Sequence, residues 1–105
     1  MEYKVLAVDL DGTLLNEERE IDRETVEALH AYREKGGKVV ICSGRTPLAT
    51  RWIAQAIRIS DPIIAYNGAV TQNPDGTIID QSTFTKDSLL TFVDVCKNHG
   101  VYGHL

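Results

Sequence analysis

Apolar residues in this chain fall into short unbroken runs, separated by segments with helical spacing. Lys4 to Val8 is the first run, Lys38 to Cys42 the second and Pro62 to Tyr66 the third. Runs of this length, apolar nearly throughout, read as strands buried on both faces of a parallel sheet. The segments between them supply the crossovers. Asp22 stands as an N-cap, and Ile21 and Val26 are spaced as a hydrophobic staple. Val26, Leu29 and Tyr32 or Arg33 then form a stripe that Gly36-Gly37 ends. Pro47 to about Ile59 gives a second helix, with Trp52, Ile53, Ala56 and Ile57 as its apolar face. Strand, helix, strand in that order implies right-handed crossovers and parallel pairing.

After the third run the pattern changes. Ala69 to Gln72 and Thr77 to Asp80 flank Asn73-Pro74-Asp75-Gly76, which reads as a hairpin with an explicit turn. Ser82 to Phe84 is a linker, and Thr85 caps a helix from about Lys86 to Asn98 with Leu89, Phe92, Val93 and Cys96 as its buried stripe. Val101-Tyr102 opens a further strand. The fold class is α/β: a partial Rossmann-like parallel sheet of three strands with crossover helices, a β-hairpin, and the start of another α/β unit.

Composition narrows the function classes. With 105 residues the chain holds at most one domain, and a net charge of −4 leaves no basic footprint for nucleic acid. No stretch approaches a membrane span and no signal peptide opens the chain. Cys42 and Cys96 lack C-x-x-C spacing and lie in apolar surroundings, which suits core thiols of a reducing cytoplasm. His30, beside the stripe of the first helix, reads as a packing or surface residue.

The chemistry gathers where the strands end. Asp9-Leu10-Asp11-Gly12-Thr13 follows the first run, Ser43-Gly44-Arg45 the second and Asn67-Gly68 the third. In an open α/β sheet, ligands bind at the carboxyl ends of the strands. Asp9 and Asp11 would stand at that mouth, close enough to share a cation, and Ser43 emerges at the same edge. A polar turn alone would also explain D-x-D-G. A calcium loop would not, because the glycine follows one residue after the second Asp and no Glu closes a twelve-residue loop.

Asp9-Leu10-Asp11-Gly12-Thr13 resembles the first motif of the haloacid dehalogenase-like phosphatases, and Ser43-Gly44-Arg45 with Asn67-Gly68 resembles their large-cap, Cof-like branch. The resemblance implies that Asp9 is the nucleophile that takes the phosphoryl group. Asp11 would protonate the leaving group and then activate water. Mg²⁺ would be held by Asp9 and by the main-chain carbonyl of Asp11. Phosphate or substrate contacts would come from Leu10, Gly12, Thr13, Ser43, Gly44, Arg45 and Asn67. The implied activity is Mg²⁺-dependent hydrolysis of small phosphorylated metabolites through a phospho-aspartate intermediate. The residue types suit it, since a carboxylate can form an acyl phosphate and a second can alternate as acid and base.

The resemblance covers only the first part of the family pattern. Residues 1–82 correspond to the N-terminal part of the core domain and 83–105 to the beginning of an inserted cap. The lysine and the G-D-x-x-N-D-like segment that complete the family site have no counterpart, so the chain reads as an N-terminal fragment or truncated relative. Its first strand, central in the family sheet, then becomes an exposed edge that invites self-association. A second class of reading keeps the fold and drops catalysis: an incompetent fragment serving as a phosphate-binding or assembly module. A receiver domain is disfavoured, because its phosphoacceptor follows the third strand, where this chain has Asn67-Gly68.

Overall fold

A computed structural model describes residues 2–104. Its centre is a five-stranded sheet in the order β1-β2-β3-β4-β5. The strands are β1 Val5–Asp9, β2 Lys38–Cys42, β3 Ile63–Ala65, β4 Val70–Gln72 and β5 Ile78–Gln81. The first three pair in parallel; β3–β4 and β4–β5 pair antiparallel. The helices are α1 Arg23–Glu34, α2 Pro47–Ala56 and α3 Lys86–His99. Both crossovers and the hairpin therefore follow the sequence pattern. Asp75 Oδ1 accepts from the Thr77 amide at 2.8 Å and holds the hairpin turn.

The core is small. Leu10, Leu14, Leu29, Val39, Ile41, Ala54, Ile57, Ile59 and Ile63 are buried together, with Val8, Ile21, Val26 and Ile53 packed against them. A buried carboxylate closes its lower end. Asp61 Oδ2 accepts from the buried Val39 amide at 2.9 Å and from Arg33 Nε at 2.9 Å. Arg33 Nη2 also donates to Ser60 Oγ at 2.7 Å. One side chain thus ties the end of α1, the start of β2 and the loop into β3. His30 has the packing role expected of it, its Nε2 lying 2.7 Å from the Ile57 carbonyl.

Several expectations fail, each for want of a neighbour that sequence spacing does not report. β1 lacks the two-sided burial its composition alone predicts and stands instead at the exposed edge that the partial family pattern predicts: it pairs only with β2, and Val5 is 56% exposed. On α2 the inward face is Thr50, Ile53, Ala54 and Ile57, while Trp52 is 64% exposed and Ala56 is also outside. That helix ends at Ala56 because Arg58 turns left-handed at φ 58° and the Ile59 amide bonds back to the Ala54 carbonyl at 2.9 Å. Asp22 occupies the N-cap position of α1 without a side-chain capping bond, its Oδ1 accepting instead from Asn16 Nδ2 at 3.0 Å.

The C-terminal segment differs most. Thr85 does cap α3, accepting from the Ser88 amide at 3.1 Å. The stripe it predicts is not buried: Phe92 and Val93 are exposed, and Leu89 and Cys96 half-buried. Val101-Tyr102 forms no strand. Gly100, left-handed at φ 61°, closes the helix, and the Val101 amide goes to the Cys96 carbonyl at 3.0 Å, a helix-ending bond that removes a donor from any ladder.

Two outcomes test this packing. Asp61→Ala should strand the Val39 amide and the Arg33 guanidinium and cost about 2–3 kcal/mol, visible in urea denaturation. A loss within error of zero would show that Asp61 is not the tie. The open edge and exposed apolar face of β1 should drive self-association at tens of micromolar, on the order of the concentrations at which exposed strand edges aggregate. A single monomeric species in sedimentation velocity would contradict it.

Candidate active site

Parallel pairing sets Asp9 level with Cys42, and Cys42 level with Ile64. Ser43 follows at once, so a carboxylate and a hydroxyl arrive at one edge of the sheet. An open cleft of about 450 Å³ there is lined by Asp9, Cys42, Ser43, Gly44, Ile64, Asn67 and Gly68. A groove of about 510 Å³ along α1, with Glu27, His30, Glu34 and Arg58 in its lining, is larger, but it shares no residue with the strand-end motifs. The Asp9 carboxylate takes part in no ion pair among the described residues.

Past Asp9 the backbone makes a single wide turn, Leu10–Leu14, closed by the Leu15 amide on the Leu10 carbonyl at 2.9 Å. Leu10 anchors this turn in the core, fully buried, so only its main chain can meet a ligand. Gly12 supplies the left-handed step, φ 78°. Asp11, Gly12 and Thr13 are carried outward and exposed.

The second corner is held by its own bonds. The Ser43 amide donates to the Ile64 carbonyl at 2.9 Å, and the Arg45 amide donates to Ser43 Oγ at 3.0 Å. Because that oxygen already accepts, its own O–H is left to donate to a ligand. Thr46 caps α2, accepting from the Ala49 amide at 3.2 Å, with Pro47 in the first turn. The positive end of α2 therefore opens beside Ser43 and Gly44.

The third corner is strained. Tyr66 and Asn67 are both left-handed, at φ 49° and 55°, ahead of Gly68 at φ 99°. Such residues cost of order 1–3 kcal/mol each and persist where the surroundings over-determine them. Here the Tyr66 amide bonds the Arg45 carbonyl and the Asn67 amide the Ser43 carbonyl, both at 3.0 Å. The Asn67 side chain then lies over residue 44, where a Cβ would stand 2.9 Å from its Oδ1, so any larger residue there would have to push the amide aside.

Arg45 reaches Asp11. Its Nε donates to Oδ2 at 2.9 Å and its Nη2 to Oδ1 at 2.7 Å, a bidentate pair. The hydrogen bonds from Arg45, together with its charge and that of Arg19, hold the Asp11 carboxyl below its ordinary value, and the pairing raises Arg45 in turn. Cys42 is half-buried in the cleft wall, and burial plus the Asp9 charge push its thiol up, away from reactivity. Among the described residues no group of three or more His, Cys, Asp or Glu could hold a metal.

All the residues singled out at the three corners thus come to one edge, with Leu10 turned inward. Sequence reasoning passed over Arg19 and the organising role of Asn16, although an Asn side chain commonly accepts from the amide two residues on, as it does here from Glu18 at 2.9 Å.

Three comparisons bear on this arrangement. The family model for haloacid dehalogenase-like hydrolases matches residues 6–105. YxeH of Bacillus subtilis (strain 168) is 38% identical over 98 residues, covering 89% of this chain and 36% of that protein. The 5-amino-6-(5-phospho-D-ribitylamino)uracil phosphatase YcsE of the same organism is 30% identical over 99 residues, covering 94% of this chain and 40% of that one. A haloacid dehalogenase-like hydrolase structure from B. subtilis superposes with a TM-score of 0.82 at 30% identity, over 92% of this chain and 34% of that one. The chain spans well under half the length of each. No helix among the described residues is long and apolar enough to cross a membrane.

The Arg45–Asp11 pair has a pH signature. Since the folded value of Asp11 is lowered, the pair's contribution is complete above the ordinary 3.8 and fades as pH falls through the lowered value. Arg45→Gln should let Asp11 titrate closer to 3.8, followed by carboxyl ¹³C NMR. An identical titration in parent and variant would show that the pair does not form in solution.

Proposed function

The chain belongs to the haloacid dehalogenase-like hydrolase family, and we propose that its three corners form the phosphoryl-transfer site of a phosphatase acting on small phosphorylated metabolites. One observation carries the reading: a carboxylate with no ion-pair partner, Asp9, shares a cleft with the Ser43 hydroxyl and the Gly44 corner at the positive end of α2. A nucleophile thus faces a ready-made anion site.

In the proposed reaction an Asp9 oxygen attacks phosphorus, forming an aspartyl phosphate. The ester P–O bond breaks, its electron pair stays on the departing oxygen, and that oxygen takes a proton from Asp11. The Asp11 carboxylate then removes a proton from water, whose oxygen attacks phosphorus. The bond to Asp9 breaks, phosphate leaves, and both carboxyl groups return to their starting state. Ser43 and the Gly44 amide orient the phosphoryl oxygens throughout.

Asp11 can donate only when protonated, and Arg45 favours its ionised form. Arg45 therefore has to exchange Asp11 for a phosphoryl oxygen, which a dianion of matching geometry can bring about. Asn67 positions the Gly44 corner through the close approach described above. Gly12 and Thr13 complete the turn around the phosphoryl group.

The donors present fit part of a Mg²⁺ shell, since Mg²⁺ is commonly held by one or two carboxylates and keeps several waters. Asp9 and the main-chain carbonyl of Asp11 would hold it. When bound, the ion offsets repulsion between the attacking carboxylate and the phosphate dianion. We assign residues 83–105 to the opening of a second lobe, consistent with an α3 that has no buried residue. A cytoplasmic setting is our reading of two free, half-buried thiols.

The test is phosphate release from a generic phosphomonoester with and without Mg²⁺. Asp9→Asn should abolish release, because the amide neither attacks phosphorus nor binds the ion comparably. Asp11→Asn should cost ~10²–10⁴-fold and Ser43→Ala less. Equal release by Asp9→Asn and the parent would overturn the nucleophile assignment.

A further inference from the structure

The parallel strands carry helices on one side only. Both crossovers run the same way across the sheet with the same hand, so α1 and α2 share a face. Val39, Ile41 and Ile63 pack toward them and are fully buried. Residues opposite one another in a ladder share a face. Ala7 with Val40, Asp9 with Cys42 and Cys42 with Ile64 therefore make up the other side, which Val5 continues. There Val5 and Ala7 are exposed, and Val40, Cys42 and Ile64 half-buried. α3 offers the complement, a stripe of Leu89, Phe92, Val93 and Cys96 on a helix with no buried residue. We propose that the open sheet face takes the α3 stripe of a second copy of this chain and gives its own α3 in return.

Reach and chemistry decide between a chain's own α3 and its neighbour's. The Ser82 amide donates to the Ala69 carbonyl at 2.8 Å and pins the end of β5. Only Thr83 and Phe84 separate Ser82 from the Thr85 cap. Two residues span at most about 7 Å. β2 and β1 stand three and four strands away from β5, or about 14 and 19 Å. Laid along the strands of its own sheet, α3 would cover β4 and β5. The open face is polar there: Thr71, opposite Ile64, and Asp80, opposite Thr71, continue it. The apolar part belongs to β1, β2 and the Ile64 position, beyond the reach of the chain's own helix.

A second copy meets both requirements. The 14 residues of α3 make a rod of about 21 Å, against about 17 Å for a five-residue strand. Exchange is reciprocal, so a pair of chains covers both stripes and both faces and leaves none to recruit a third. This arrangement differs from strand pairing at the β1 edge, which would leave the face bare. It also reaches the site. Cys42 and Ile64 line the Asp9 cleft as well as the open face, so the neighbour's helix becomes a wall of that cleft.

The test reads contacts between copies alone. A spin label is attached at Asn98→Cys, on the side of α3 away from the stripe, in a chain freed of its own thiols by Cys42→Ser and Cys96→Ala. That chain is mixed with an equal amount of ¹⁵N-labelled parent, and amide intensities of the parent are followed. Val5, Ala7 and Val40 should lose intensity, while Asp80 in β5 keeps it. Val93→Asp in the spin-labelled chain should abolish the loss, because docking would bury a carboxylate without a partner. Val93→Leu should preserve it. Loss confined to β1, the mark of pairing at its edge, would overturn the proposal. So would loss that persists with Val93→Asp, or no loss at any amide, whether the chain sediments as monomer or dimer.

Discussion

The parallel register of β1 on β2 is the constraint on which the site depends. Setting Asp9 against Cys42 brings the end of one strand level with the end of the next. A slip of one residue would turn every side chain of β1 to the other face. Leu10 guards against it: fully buried just past the strand, it fixes the phase of Asp9 and of the wide turn that carries Asp11 outward. Asp61 performs the matching service at the other end, holding the start of β2 through the Val39 amide. Register is thus pinned by one apolar and one charged residue, neither of which brings its side chain to the cleft.

Local features of the fold were legible because they are written in neighbouring residues. The apolar runs, the Thr85 cap, the Asn73–Gly76 turn and the strand-end motifs all declare themselves within a few positions. Burial was not legible in the same way. The stripe Leu89, Phe92, Val93 and Cys96 has the spacing of a core face and lies largely open, and β1 has the composition of a central strand while standing at an edge. Composition reports what a segment could bury; only its neighbours decide whether it does. The same limit applied at the site. Arg45 and Asp11 are 34 residues apart, and no periodicity links them.

That pair shapes how the site handles charge. The chain as a whole is acidic, at −4, yet Asp11 is faced by two guanidinium groups. A bidentate Arg–carboxylate pair offers a phosphate dianion the same two donors that the carboxylate uses, so in the proposed reaction binding of phosphate and release of Asp11 are one exchange. The strained Tyr66-Asn67 corner makes the complementary contribution, because its amides lock residues 43–45 and leave the Ser43 O–H free to donate. Binding energy then need not be spent on ordering the loop.

The central claim is that phosphorus becomes bonded to Asp9. Borohydride trapping reads it directly, because reduction of an aspartyl phosphate leaves homoserine that peptide mass spectrometry can place. The chain incubated with Mg²⁺ and acetyl phosphate, then reduced, should carry homoserine at position 9 and at no other aspartate. Homoserine elsewhere, or at no position while phosphate is still released, would contradict the mechanism.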